Sequence, residues 1–289
     1  MKTEKVAFTR GNTPLNTVPA DYLPPGAEAQ WLLLTEGPDA GKKLFFYDVV
    51  LGEGEPQATL FFVHGNPECS YTYRGNIDEV VKQSQGAVRI IAMDHIGFGL
   101  SDQASFEMVE YHHANNVKQL VTYLGVQEIT LVIHDWGGAI GVGALIDTPD
   151  LVSHLVLMNT TIFPMPQEGD TYSNFPFPGP LSWTRLGHSL PWQVWKYVPP
   201  LVMSSPAGKL GFIAHCIKFG LRSLLGKLSE EDKMYRDMFK TEANARSSMR
   251  NVKQTGVWGH GYRYFDESEG WQDNHAFYVN MQEKIEKAW

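Results

Sequence analysis

Residues 129–141 read ITLVIHDWGGAIG: apolar side chains run to Ile133, one acid stands at Asp135, and two glycines open the small-residue segment behind it. A short, uniformly apolar run is the pattern of a strand buried on both faces. An acid at its end, followed at once by tight-turn residues, makes a strand-to-helix elbow that lifts one side chain above the carboxyl edge of a parallel sheet. Where such an elbow often presents a serine, this chain has Asp135. A carboxylate is ionised at neutral pH and needs no adjacent base to become nucleophilic. It suits displacement of a leaving group from an sp3 carbon, with an ester on the enzyme as the product.

Outward from the elbow the same texture repeats. Residues 30–35 and 43–51 alternate like strands around the turn GPDAGK, a hairpin pattern. Residues 58–63 are uniformly apolar and stop at His64-Gly65-Asn66-Pro67, and the spacing predicts a helix within 71–83. A buried strand over 88–93 ends at Asp94 in DHIGFGLSD, and 110–124 has helical spacing with Gly125 as its stop. The elbow strand, its helix to about residue 146 and a strand over 152–158 complete the run. Four strand–helix alternations predict an α/β fold, a doubly wound and mostly parallel sheet. From residue 163 onward proline and aromatic residues dominate. Helices are predicted over 206–225, 229–251 and 276–288, with Ser229 and Asp232 as a start signal and no strand pattern. This divides the chain into a core, 1–162, and an inserted helical lid, or cap, 163–289.

A halide leaving group is best held by neutral donors, an amide and an indole N–H. Asn66, at the end of its strand, and Trp136, beside Asp135, carry those donors at the carboxyl ends of parallel strands, where ligands bind in such sheets. HGNPECSYTYR (64–74), DHIGFGLSD (94–102) and VIHDWGGAIG (132–141) together resemble the haloalkane dehalogenases of the α/β-hydrolase superfamily over roughly residues 58–161. The resemblance implies Asp135 as nucleophile, Asn66 and Trp136 as the halide-stabilising pair, a small apolar substrate and a halide ion as partners, and neither cofactor nor metal. Related epoxide hydrolases and fluoroacetate dehalogenases usually carry an aromatic residue at the place of Asn66. Renilla-type luciferases share both the Asn and the Asp-Trp.

The same resemblance implies a triad acid and a base after the lid, each following a further strand. Some members take the acid from just after the strand that here ends near Asn159; this chain has Asn159 itself, so it resembles the other branch. Neither further strand is found. Residues 269–289, EGWQDNHAFYVNMQEKIEKAW, read as the helix that precedes the first of them. His275 is the one candidate for a replacement base, ahead of Asp273 as a replacement acid. The expectation is a chain that alkylates itself once and stops at the ester, with a sheet edge beyond Asn159 that aggregates or takes a partner.

Plainer readings stand beside these. Asp135 can cap the next helix, Asn66 can form an Asx turn before Pro67, and Trp136 can be core. His64 and His134 read as satisfying backbone groups, and Asp94 and Asp102 as structuring loops. Phe177, Trp183, Trp192 and Trp195 read as lid packing or as the lining of an apolar pocket. Three other functions remain open: an epoxide hydrolase using lid tyrosines Tyr172, Tyr197 or Tyr235, a non-catalytic binding protein or inactive fragment, and a luciferase-like monooxygenase. A net charge of −8 over 289 residues, with no basic tract, argues against nucleic acid. No apolar run reaches the length of a signal peptide or a membrane span, so no membrane partner and a cytoplasmic location are expected. The two cysteines, Cys69 and Cys216, read as reduced thiols.

Overall fold

Uniformly apolar strands need cover on both faces, and the chain supplies it by alternating strand with helix. The computed structural model describes residues 12–15, 18–164, 182–205, 209–253, 258–261 and 263–289. A hairpin of β1 (Gln30–Leu33) and β2 (Lys43–Leu51) leads into β3 (Thr59–Val63), α1 (Arg74–Gln83), β4 (Val88–Met93), α2 (Glu110–Leu124), β5 (Ile129–His134), α3 (Gly137–Leu145) and β6 (Val152–Met158). The sheet order is β1-β2-β4-β3-β5-β6, with β1 and β2 antiparallel and β3 to β6 mutually parallel. This is the doubly wound, mostly parallel sheet the sequence predicts. The chain moves from β3 outward to β4, then crosses back over β3 to β5 and β6. The carboxyl ends of β3 and β5 thus lie side by side where the winding reverses, the place in such sheets where a crevice opens.

Period-two alternation sorts the core into two layers. Leu44, Phe46, Phe61, Ile91, Leu131 and Ile133 pack on Val117, Leu120 and Val121 of α2 and Ile140 of α3. Phe45, Tyr47, Phe62, Ile90 and Val132 face the other way, toward Ile77 of α1. Each such side chain contributes about 1.5–3 kcal/mol by leaving water. Gly125 closes α2 at φ 59°, the left-handed stop read from the sequence.

The second half is helical, as expected, with two differences. Its helices are α4 (Trp183–Ser189), α5 (Trp192–Trp195), α6 (Val198–Met203), α7 (Lys209–Leu224), α8 (Glu230–Met238), α9 (Glu242–Lys253) and α10 (Asn274–Ala288). The helix predicted over 229–251 is two: Phe239 is fully buried at the break, and Thr241 Oγ1 accepts the Asn244 N–H to start α9. Ser229 and Asp232 form the predicted capping box on α8. A hairpin of β7 (Arg263–Asp266) and β8 (Gly270–Asp273) stands where no strand was expected. Its turn is tied by Asp266, which accepts the Ser268 and Glu269 N–H groups. Among the described residues this hairpin does not join the central sheet, which ends at β6. The last helix, α10, packs Tyr278 and Met281 into the α2–α3 layer and seats Phe277 against Gly143.

Candidate active site

The elbow after β5 has the geometry its sequence predicts. Asp135 sits at φ 52°, a left-handed conformation that a non-glycine residue holds only when its surroundings enforce it. Thr160 Oγ1 donates to the Asp135 carbonyl at 2.5 Å, and Gly138 N–H donates to the same oxygen at 3.0 Å. Close packing makes the glycines obligatory. A Cβ on Gly137 would lie 2.2 Å from the Val63 carbonyl, and one on Gly65 would lie 2.4 Å from Asp135 Oδ1.

The residue preceding α3 is Trp136, whose side chain makes no cap bond, and the Asp135 carboxylate turns toward the end of β3. Asn66 N–H donates to Asp135 Oδ1 at 2.8 Å, and the Trp136 N–H also bonds the carboxylate. Desolvation pushes the Asp135 pKa up to about 6; the charge of Glu68 adds to the rise, and the two amide bonds oppose it. The group stays ionised at neutral pH while more basic than an exposed carboxylate.

Asn66 and Trp136 each meet this carboxylate through the backbone and carry a side-chain donor besides. Asn66 Nδ2 gives one hydrogen to the Ser248 carbonyl of α9 at 3.2 Å, and its buried Oδ1 has no partner. A bound water or ligand can supply the partner that such a buried oxygen calls for. Trp136 is buried and stacks on Trp258 at 4.0 Å between ring centroids, and its indole N–H makes no hydrogen bond among the described residues. Trp258 is fixed in turn by its own N–H on the Thr161 carbonyl, at 2.8 Å.

Reading the sequence missed Glu68, Thr160, Ser248 and Trp258. Thr160 had a signal, since it lies two residues past the end of β6, whereas Glu68 lies five past the end of β3. His134 differs from its expected role: its Nδ1 meets the buried Glu68 carboxylate at 2.9 Å, which raises its pKa against the opposing effect of burial. His64 does serve backbone groups, accepting the His95 N–H at 3.0 Å and donating to the Gly65 carbonyl at 2.8 Å. Asp94 gathers Ser70 N–H, Leu100 N–H and the Tyr22 hydroxyl, each at 2.7 Å, and Asp102 accepts the Lys43 N–H, so both structure loops.

His275 is exposed at the start of α10 with Nδ1 on the His260 carbonyl at 2.5 Å, and Asp273 caps that helix through the Ala276 N–H. No histidine among the described residues hydrogen-bonds Asp135. Tyr235 is buried with an unpartnered hydroxyl, whereas Tyr197 is exposed. Trp195 is buried with its N–H on Ser248 Oγ at 2.9 Å, and Trp192 packs beside it. Tyr172, Phe177 and the Trp183 side chain lie outside the described residues. Cys69 and Cys216 are free thiols. Among the described residues no cluster of three or more His, Cys, Asp or Glu is placed to hold a metal, and no helix is long and apolar enough to cross a membrane.

This sheet, with an acid on the elbow at its switch point, is that of the α/β hydrolases. A model of the alpha/beta hydrolase fold family matches residues 58–276, and the chain belongs to that family. Within it the chain is similar to a cis-3-alkyl-4-alkyloxetan-2-one decarboxylase of Shewanella oneidensis, 39% identical over 130 residues, which are 44% of this chain and 38% of that protein. It is also similar to a haloalkane dehalogenase of Mycolicibacterium smegmatis, 33% identical over 130 residues, 43% of this chain and 39% of that protein. The chain thus matches about two-fifths of the length of these relatives. The crystal structure of haloalkane dehalogenase DatA from Agrobacterium tumefaciens shares the fold, with a TM-score of 0.52 at 18% identity over 89% of this chain and 74% of that one.

Proposed function

We propose that this chain is an enzyme of the haloalkane dehalogenase type, in which Asp135 displaces halide from an alkyl halide. One observation carries the reading: the Asp135 carboxylate, raised on a left-handed elbow, is held by the Asn66 and Trp136 amides at the end of β3. An Asp135 oxygen attacks the carbon bearing the halogen, the carbon–halogen bond breaks, and an alkyl ester forms. The departing halide is held by the second Asn66 Nδ2 hydrogen and the Trp136 indole N–H. The two backbone amides face the ester carbonyl oxygen and stabilise the oxyanion when water adds to it. The helices beyond residue 163 act as the cap over this site, with the Ser248 carbonyl of α9 orienting Asn66.

Water attack calls for a base, and the exposed His275 does not meet the site. The expected outcome for this chain is one halide released per molecule and a stable ester. Exposure to 1-bromobutane followed by intact-mass analysis tests this. A single butyl adduct on Asp135 with one equivalent of bromide is expected, and none on Asp135→Asn. Neither burst nor turnover in the unmodified chain, with Asp135→Asn behaving identically, sinks the proposal.

A second reading takes its support from the decarboxylase of Shewanella oneidensis. In a cis-3,4-dialkyl oxetan-2-one, attack of Asp135 on ring carbon 4 breaks its bond to the ring oxygen and frees a carboxylate. Loss of carbon dioxide then sends the electron pair of the C2–C3 bond into a C3–C4 double bond while the Asp135–carbon bond breaks. Alkene forms and the Asp135 carboxylate returns without any water-activating base. Continuous release of alkene and carbon dioxide from such a lactone, with only a single burst of bromide from bromobutane, selects this reading over the first.

A further inference from the structure

One helix of the second half is apolar on two sides. One side of α7 carries the buried Phe219. Its other side presents Ile213, Ile217, Leu221 and Leu224, with Leu225 just beyond, at 48%, 62%, 56%, 86% and 66% exposure. These recur every three or four residues and therefore form one continuous stripe along the helix. No other described element exposes more than two large apolar side chains. The charge around the stripe is equally one-sided. Residues 206–229 carry Lys209, Lys218, Arg222 and Lys227 and no acid, in a chain whose net charge is −8. Lys218 and Lys227 are exposed. The acids that begin α8 already have partners: Glu230 meets Lys233 at 2.7 Å, Glu231 meets Arg74 at 3.3 Å, and Asp232 meets Arg222 at 3.9 Å.

We propose that α7 is an interfacial anchor that lays its apolar stripe into the headgroup–acyl boundary of an anionic lipid surface, with Lys218 and Lys227 meeting the headgroups. An apolar face bordered by cations and free of acids is the pattern of a helix lying in that boundary, and such a helix needs no membrane span. A second copy of this chain fits less well, because a symmetric contact through the same patch would set like charges against like. The inference stands apart from the chemistry at Asp135.

The test is flotation of the full chain with vesicles of pure phosphatidylcholine and with vesicles of equal parts phosphatidylcholine and phosphatidylserine. The expected result is binding to the anionic vesicles that weakens as salt is raised. Ile217→Gln with Leu224→Gln is expected to cut binding by roughly tenfold or more. Lys218→Gln with Lys227→Gln removes the preference for the anionic vesicles. All these positions are exposed, and an unchanged circular dichroism spectrum and melting temperature confirm that each variant folds. A chain that stays with the soluble fraction at low salt overturns the proposal. So does binding that both double variants retain, or self-association in solution that Ile217→Gln with Leu224→Gln abolishes while no vesicle is bound.

Discussion

Asp135 is a costly residue for the fold, and the cost has a pH signature. Its folded pKa, pushed up to about 6, lies above the ordinary carboxylate value. The folded state therefore binds the proton more tightly than the unfolded chain. The resulting stability is present below about pH 4 and is lost as pH rises through about 6. Asp135→Asn removes the buried charge but keeps an acceptor for the Asn66 N–H. Thermal unfolding at pH 8 is expected to show the variant more stable by about 1–3 kcal/mol, with the gain vanishing near pH 4; equal stability at both values contradicts the raised pKa. On the chemistry proposed for Asp135, the same variant is expected to form no alkyl ester, a trade of stability for chemistry at one position. Trp136→Phe keeps a ring against Trp258 but loses the indole N–H. The halide burst should slow by about 10²-fold with little change in melting temperature, and an unchanged burst removes Trp136 from the halide site. For Glu68→Gln, loss of the carboxylate leaves burial as the main influence on His134. NMR titration of its ring protons is expected to show a midpoint below the ordinary histidine value, where the native pair titrates above it.

Between neighbouring elements, the site depends on contacts that differ in how openly the sequence announces them. Asp135, Asn66 and Trp136 were legible because each lies at the end of an apolar strand, and strand ends are what a buried parallel sheet fixes best. Trp258 and Ser248 were not, because they reach the site from far along the chain through tertiary packing that leaves no local periodicity. The β7–β8 hairpin escaped for a related reason: its four-residue strands are held by tertiary bonds, including Tyr264 hydroxyl to the Glu107 carbonyl at 2.5 Å. Helix α9 shows what such packing does. Asn244 Oδ1 accepts the Ala104 N–H at 2.8 Å, Ser247 Oγ accepts the Met108 N–H at 3.1 Å, and Ser248 offers its carbonyl to Asn66 and its hydroxyl to Trp195. Because Asn66 is held by the Ser248 backbone, Ser248→Ala breaks only the Trp195 bond. About 1 kcal/mol of stability is expected to go, with the alkylation rate at Asp135 retained. A variant that folds but alkylates tenfold more slowly shows that the hydroxyl, through Trp195, also positions Asn66.

The open flank of the sheet bears on how the molecule behaves in solution. Along β6 only Val152 is fully buried, while Val156 and Leu157 are 42% and 57% exposed. Among the described residues β6 pairs with β5 alone, so no described strand bonds the N–H and C=O groups on its outer side. An edge that is apolar and carries no charge between His154 and Asn159 lacks the usual protection against strand addition. Leu157→Lys places a cation on the edge without touching the buried layers. Light scattering on concentrated samples is expected to show aggregation reduced several-fold at an unchanged melting temperature. Ile217→Gln with Leu224→Gln, on the α7 stripe, separates the two apolar surfaces. If that pair suppresses aggregation and Leu157→Lys does not, self-association runs through α7, and the β6 edge is harmless despite its exposure.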